Sequence, residues 1–210
     1  MILSRCFSVI LTISGIFCFM KSIVIAILLL TTSQLFAQKI VEKHFQVETI
    51  SRIYIDGTDV FNIAVETAIT DQIYVKASME GEDNEHLVLS SDLKSGELRL
   101  SVKWQPFYKG ANDKLSAHKV KSISLQLIVP EFMNVSMFSD IAGATVKGKL
   151  KELVMELTQG HCDILVEANV VNIKTIDGHI NVFTQRANID ATSVNGEVSG
   201  VIKNSKSSRI

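Results

Sequence analysis

The chain has 210 residues, of which 21 are basic and 22 are acidic, and its formal net charge at pH 7 is −1. Residues 1–37 contain two basic residues, Arg5 and Lys21, and no acidic ones, which leaves 19 basic (21 − 2) and 22 acidic residues, a net charge of −3. A slightly acidic chain has no overall attraction for nucleic acid or for anionic lipid, so we expect no nucleic-acid partner. The part of the chain after position 37 is long enough for one substantial core.

Residues 1–37 are predicted to be a secretory signal peptide. The run Met20–Ala37 has a charged beginning at Lys21, an apolar middle and a small residue at its end. This pattern predicts cleavage after Ala37. Residues 1–19 are then an upstream start included in error, or the beginning of a longer signal. The alternative is a membrane anchor, since the apolar stretch is long enough to span a bilayer. We expect an exported protein, in the periplasm, on the outer-membrane surface or outside the cell, with no stable membrane insertion after cleavage.

From residue 38 to residue 130 the sequence predicts a series of short strands. Apolar and polar residues alternate there, and no stretch has a convincing helical period. Turn signals such as Asp56-Gly57 and Lys94-Ser-Gly96 separate the segments. The predicted strands are 53–57, 61–65, 73–77, 86–90, 98–102 and 123–128. We expect this part to cap one end of the repeats that follow, because an open stacked edge would pair with another chain.

The stretch from Trp104 to Asp113 is a loop rich in aromatic residues. Trp104, Phe107 and Tyr108 supply its rings, and such rings offer large contact areas and faces on which sugars stack. The loop is therefore the predicted binding site for a glycan or a protein. The alternative is that the rings fold back over the strands and cover part of the core.

One short pattern recurs four times between residues 131 and 201. Each unit contains a turn glycine; these are Gly143, Gly160, Gly178 and Gly196, whose numbers differ by 17, then 18, then 18. Around the last three glycines apolar residues alternate with polar ones, which indicates strands with one buried and one solvated face. In the first unit the apolar residues are one position out of phase with the glycine, which is typical of the end of a stack.

This fixed period predicts stacked units, each too small to bury its own apolar face. We predict an all-β fold: a single-stranded β-solenoid with rungs of about 18 residues, capped by the strand-rich part at 38–130 and followed by a polar tail at 202–210. Residues 38–210 are expected to form a single domain. An antiparallel meander satisfies the same alternation and is the alternative.

In a solenoid, the residues that follow equivalent glycines stack in one column. His161, His179 and Glu197 each directly follow a turn glycine. Two imidazoles and a carboxylate one rung apart could hold Zn²⁺, with a water molecule as the fourth ligand. The alternative is that they are three polar side chains on an exposed turn.

No sequence motif of a known catalytic class is present. The chain has no Gly-x-Ser-x-Gly, His-Glu-x-x-His, Cys-x-x-Cys, Walker or dinucleotide-binding pattern. Cys162, the only cysteine after residue 37, falls at an inward-facing position, so we expect a small buried residue and no internal disulfide. The carboxylates of Asp163, Asp177 and Glu197 are scattered over different columns. We therefore expect no enzyme and no cofactor, with a polysaccharide-active or metal-binding β-helix enzyme as the alternative.

Three features carry a resemblance to known families. They are Phe45-Gln-Val47 followed by Ile50 and Ile53, the sequence Val129-Pro-Glu131, and the glycine-punctuated strand repeats after it. With these features, residues 44–201 resemble bacterial families named "putative adhesin", namely the β-strand-repeat and the auto-transporter adhesin head (GIN domain) families. The resemblance implies a β-solenoid-like fold in the cell envelope and a binding or structural role, without established catalytic residues.

The sequence thus predicts a non-catalytic, secreted or cell-envelope module that binds a surface glycan or an envelope protein. The second hypothesis is a structural envelope component that self-associates through the ends of the solenoid.

Overall fold

The computed structural model describes residues 38–81, 83–108, 121–185, 187–203 and 207–209. These residues belong to one compact unit, Gln38–Ile210. The predicted signal peptide at 1–37 and the end of the predicted aromatic loop lie outside the described residues, so the signal peptide stays a prediction.

The described residues form strands and two short 3₁₀ helices, which confirms the predicted all-β class. The 3₁₀ helices are Val47–Thr49 and Asn84–His86. The strands are β1 (Lys39–Gln46), β2 (Arg52–Asp56), β3 (Asn62–Ala68), β4 (Gln72–Gly81), β5 (Leu87–Lys94), β6 (Glu97–Trp104), β7 (Lys121–Pro130), β8 (Asn134–Ser139), β9 (Gly143–Lys149), β10 (Glu152–Gln159), β11 (Cys162–Glu167), β12 (Val170–Asp177), β13 (Ile180–Gln185), β14 (Asn188–Asn195), β15 (Val198–Lys203) and β16 (Ser207–Arg209).

The strands form two eight-stranded sheets. Sheet A has the order β1-β4-β7-β3-β9-β11-β13-β15, and sheet B has the order β16-β14-β12-β10-β8-β2-β6-β5. From β8 onward consecutive strands alternate between the sheets, and their pairings with neighbours in the same sheet are parallel. The antiparallel meander is therefore wrong for this region. Both sheets are mixed, because β1, β4 and β7 pair antiparallel, as do β5 and β6. The single-stranded β-solenoid stays a prediction and is taken up below.

The register between the rungs is constant throughout the repeats. Val135, Leu153, Val171 and Ile189 are successive partners in sheet B, and their numbers rise in steps of 18. The first step between the turn glycines is shorter because Gly143 is not equivalent to the later turn glycines. It occupies the position that follows the turn glycine in the other units. Ala142 occupies the glycine position of the first unit, where a Cβ is tolerated.

The core lies between the sheets and follows the predicted alternation. Most inward-facing residues of β8 to β14 are almost completely buried, and the side chains between them are half-buried or exposed. Burial of each Val, Leu or Ile side chain contributes about 1.5–3 kcal/mol, so the repeated column of branched residues stabilises every added rung. The same core continues through β2 and β3, which pair in parallel with β8 and β9.

The edge strands at the N-terminal end of the two sheets are bridged by two lysines of β1. The ammonium group of Lys39 donates to the carbonyl oxygens of Glu85 and Leu87, at 2.8 and 2.7 Å. That of Lys43 donates to the carbonyl oxygen of Leu89 and the hydroxyl of Ser91, both at 2.9 Å. These carbonyls belong to β5 and the residues before it. Their occupation leaves fewer free acceptors for an added strand, a device that protects sheet edges.

Candidate functional site

The predicted aromatic site is built at the open end of the β5–β6 hairpin. Trp104, the last residue of β6, is the cross-strand partner of Leu87, so it lies next to His86. The chain then turns back, because the amide of Gln105 donates to the carbonyl of His86 at 2.8 Å and that of Tyr108 donates to the carbonyl of Gln105 at 3.1 Å. The backbone of this turn is therefore tied to the hairpin, and a ring on it has a defined position.

The rings form a stack. The ring of Tyr108 lies 4.2 Å from that of His86, with an interplanar angle of 24°, and 5.0 Å from that of Trp104, with an angle of 15°. The ammonium group of Lys121 lies 5.7 Å from the centre of the Trp104 ring, within the range of a cation–π contact. The same ammonium forms an ion pair with Asp59 at 2.8 Å. Trp104 is consequently held between a stacked ring and a fixed positive charge.

The structure separates the three predicted binding residues into two groups. Trp104 and Tyr108 come together in the stack. Trp104 nevertheless remains 37% exposed, and Phe107 is 100% exposed. The backbone of Phe107 has φ +73°, in the left-handed region that a bulky residue rarely adopts. Binding at these residues stays a prediction.

The predicted column of His161, His179 and Glu197 is present as a stack of backbones. The amide of Cys162 donates to the carbonyl of His179, and that of Ile180 donates to the carbonyl of Glu197, both at 2.9 Å. The Nδ1 atom of His179 accepts a hydrogen bond from the amide of Glu197 at 3.1 Å, so this nitrogen has a partner. No group of three His, Cys, Asp or Glu side chains able to hold a metal ion is found in the described ranges. Zinc binding stays a prediction.

Cys162 is buried, and its thiol forms no disulfide. Burial, together with the nearby charge of Asp163, raises the pKa of its thiol to about 12. The thiol is therefore protonated at physiological pH, whereas a nucleophilic cysteine needs a thiolate. This environment matches the expected role as a small buried residue.

The outer face of sheet A carries a second candidate surface, which the sequence did not reveal. One row of side chains crosses all eight strands, with one residue from each strand. In sheet order, this sheet A row comprises His44, Tyr74, Ile128, Glu66, Lys147, Leu165, Phe183 and Val201.

The apolar members of the row are unusually open to solvent. Ile128 is 40% exposed, Leu165 58%, Phe183 42% and Val201 51%. The last three line a cavity of about 410 Å³ that also touches Lys149 and other residues of the four C-terminal strands of the sheet. A contiguous apolar patch with a polar rim is typical of an interaction surface.

Comparisons with known proteins give the fold a context. No protein-family model and no curated protein matches the chain. A solved "putative cell adhesion protein" from Clostridium sporogenes matches with a TM-score of 0.51 over 80% of this chain and 100% of that chain, at 12% identity. The chain and this solved protein share a fold. At this identity, the similarity concerns the fold alone.

Two further solved structures match the chain less closely. A "putative adhesin" from Parabacteroides distasonis gives a TM-score of 0.42 at 11% identity, over 80% of this chain and 76% of that one. A "putative lipid binding protein" from the same species gives 0.27 at 11% identity, over 79% and 96%. In the part of the chain that the structure describes, no helix has the length and hydrophobicity for crossing a membrane.

Proposed function

We propose that the chain is a non-catalytic, exported, adhesin-like module that binds a surface glycan or an envelope protein. In this proposal residues 131–203 are coils of a β-solenoid, and each coil adds one strand to each sheet. The constant parallel register of the rungs supports this arrangement. The adhesion role comes from the name of the Clostridium sporogenes structure, with which the chain shares its fold.

The observation that carries the proposal is the conformation and exposure of Phe107. A left-handed backbone costs a non-glycine residue about 1–2 kcal/mol. A phenyl ring that is 100% exposed gains no burial energy in return. Folding therefore gives little reason for phenylalanine at this position, and unlike the similarly strained Phe132 the ring adjoins a stacked aromatic pair, where a ligand would cover it. The stacked Trp104 and Tyr108 beside it extend the aromatic surface.

The test compares Phe107→Ala with Phe132→Ala on a printed glycan array and on immobilised envelope proteins. Phe132 is a matched control, since it also has positive φ, +64°, and is 62% exposed, but it lies in the turn between β7 and β8. We expect Phe107→Ala to weaken binding by at least tenfold and Phe132→Ala to leave it unchanged. Trp104→Ala should weaken binding as well.

Two results would overturn the proposal. One is wild-type protein that binds no glycan and no envelope protein in these formats. The other is equal binding by wild type and Phe107→Ala. Thermal unfolding of each variant shows whether it is folded, and the full exposure of the Phe107 ring predicts no loss of stability on its removal.

A further inference from the structure

The sheet A row has a symmetric composition. Three largely apolar or aromatic positions, His44, Tyr74 and Ile128, lie on one side of a charged pair. Three apolar positions, Leu165, Phe183 and Val201, lie on the other side. The charged pair, Glu66 and Lys147, occupies the two central strands of the sheet, β3 and β9. The order of apolar and charged positions along the row is therefore nearly the same from either end, except that the two central charges have opposite signs.

The two central charges are open to a partner from outside the chain. Glu66 and Lys147 are cross-strand neighbours and both are exposed. Among the described residues, neither forms an ion pair within 4.0 Å, although other surface charges such as Lys76 and Glu42 do. Each charge is thus available to a group that approaches the face.

From these observations we propose that the outer face of sheet A is the interface of a symmetric homodimer. A two-fold axis parallel to the strands, midway between β3 and β9, places each strand opposite its mirror position in the sheet order. Glu66 then faces the partner's Lys147, and Lys147 faces the partner's Glu66. A self-complementary patch of this kind is what a two-fold interface requires.

The apolar positions match under the same axis. Leu165 lies opposite the partner's Ile128, and Phe183 lies opposite the partner's Tyr74. The cavity beside Leu165 and Phe183 leaves room for these incoming side chains. Two sheets whose strands remain nearly aligned pack face to face at a separation of about 10 Å.

The neighbouring row on the same face also agrees with this axis. In sheet order it comprises Glu42, Lys76, Gln126, Ala64, Thr145, Asp163, Asn181 and Ser199. The axis places Glu42 opposite a serine and Lys76 opposite an asparagine. It places Asp163 opposite a glutamine. No two like charges face each other in this row, so electrostatic repulsion does not oppose the contact.

The size of the face fits a stable dimer. Eight strands about 4.8 Å apart span roughly 34 Å, and a six-residue strand is about 20 Å long. The face therefore has an area of roughly 700 Å² per copy, or about 1,400 Å² in total, within the range of about 1,200–2,000 Å² for stable specific interfaces.

Charge reversal at the central pair tests the proposal. The oligomeric state of wild type and variants is measured by sedimentation of the exported chain over the micromolar range. Wild type is expected to dimerise. Glu66→Lys and Lys147→Glu each place like charges opposite each other at both central contacts, so each should raise the dimer Kd by at least tenfold. An equimolar mixture of the two variants pairs opposite charges again and should restore the dimer, as should the double variant E66K/K147E.

The mixture separates a lost interface from a damaged fold. In each single variant the two neighbouring strands carry like charges within the chain, and mixing does not remove this defect. Recovery of the dimer on mixing therefore reports contacts between chains. A monomeric wild type overturns the proposal, and it does so even when the monomer binds an anionic amphiphile through this face. Single variants that remain dimeric overturn it too, and so does a mixture that fails to recover.

Discussion

Replacing Gly178 with alanine is expected to destabilise the protein far more than the same replacement at Gly143. A Cβ on Gly178 would overlap the carbonyl oxygen of Gly160, the equivalent residue one rung earlier, and lie 2.8 Å from its carbonyl carbon. Backbone atoms of a neighbouring rung cannot rotate away. At Gly143 the nearest atom is Cε1 of the His161 ring, at 3.1 Å, at the end of a side chain that can move.

The magnitude follows from the contacts at the turn. The amide of Gly160 donates to the carbonyl of Asp177 at 3.0 Å, and that of Gly178 donates to the carbonyl of Asn195 at 3.3 Å. Loss of both bonds costs about 2 kcal/mol, at about 1 kcal/mol each. Overpacking adds about 1–3 kcal/mol, so we expect Gly178→Ala to lower the free energy of unfolding by about 3–5 kcal/mol. Gly143→Ala should change it by less than about 1 kcal/mol.

Urea and thermal denaturation followed by far-UV circular dichroism measure both variants. For a domain of this size, 1 kcal/mol shifts Tm by about 2–4 °C, so Gly178→Ala should lower Tm by about 6–20 °C. Equal effects of Gly178→Ala and Gly143→Ala would refute the close approach of the rungs at the turn.

Two further predictions concern buried groups. The hydroxyls of Thr175 and Thr184 are buried without a hydrogen-bond partner in the described structure. Thr175→Val should raise the free energy of unfolding, measured by urea denaturation, by about 1 kcal/mol. The same change at the exposed Thr192 should not raise it. A loss of stability in Thr175→Val would show that the Thr175 hydroxyl has a hydrogen-bond partner. Burial raises the pKa of the Cys162 thiol from 9.0 to about 12, so this group lowers stability only as pH rises from about 9 towards 12. Wild type should therefore lose more stability than Cys162→Ala over that range, and a thiol reagent should not react before unfolding; rapid reaction of the folded protein would contradict this.

The period of the repeats was predictable because each rung buries the same inward column. The phase of the first unit was not, because Gly143 is a glycine for a different reason. The His161 ring lies against Gly143, whereas at Gly160 and Gly178 the carbonyl group of the preceding rung leaves no room for a Cβ. A sequence shows that a glycine is present but not which atom approaches it.

The connection between the N-terminal part and the repeats could not be predicted. Ile53 pairs with Val135, although five other strands lie between them in the chain. Alternation of polar and apolar residues is the same in parallel and antiparallel strands. It therefore predicts the strands of this part without their order or direction.

The candidate surfaces were predictable only where they are local in sequence. Trp104 and Tyr108 belong to one short stretch of the chain, so an aromatic loop was visible. His86 joins their stack through strand pairing, which gives no sequence signal. The sheet A row depends on a strand order in which β7 and β9 flank β3. Glu66 and Lys147 are therefore neighbours in space, although β4 to β8 separate them in the chain.

The in-register stack is tested most directly by nuclear Overhauser contacts between backbone protons. The account predicts contacts between residues whose numbers differ by 18 along the whole of β8 to β15, for instance from Leu153 to Val171 and from Val171 to Ile189. Contacts typical of hairpins, in which the partner's number falls as the residue's number rises, would contradict the parallel stack and the displayed surfaces that depend on it.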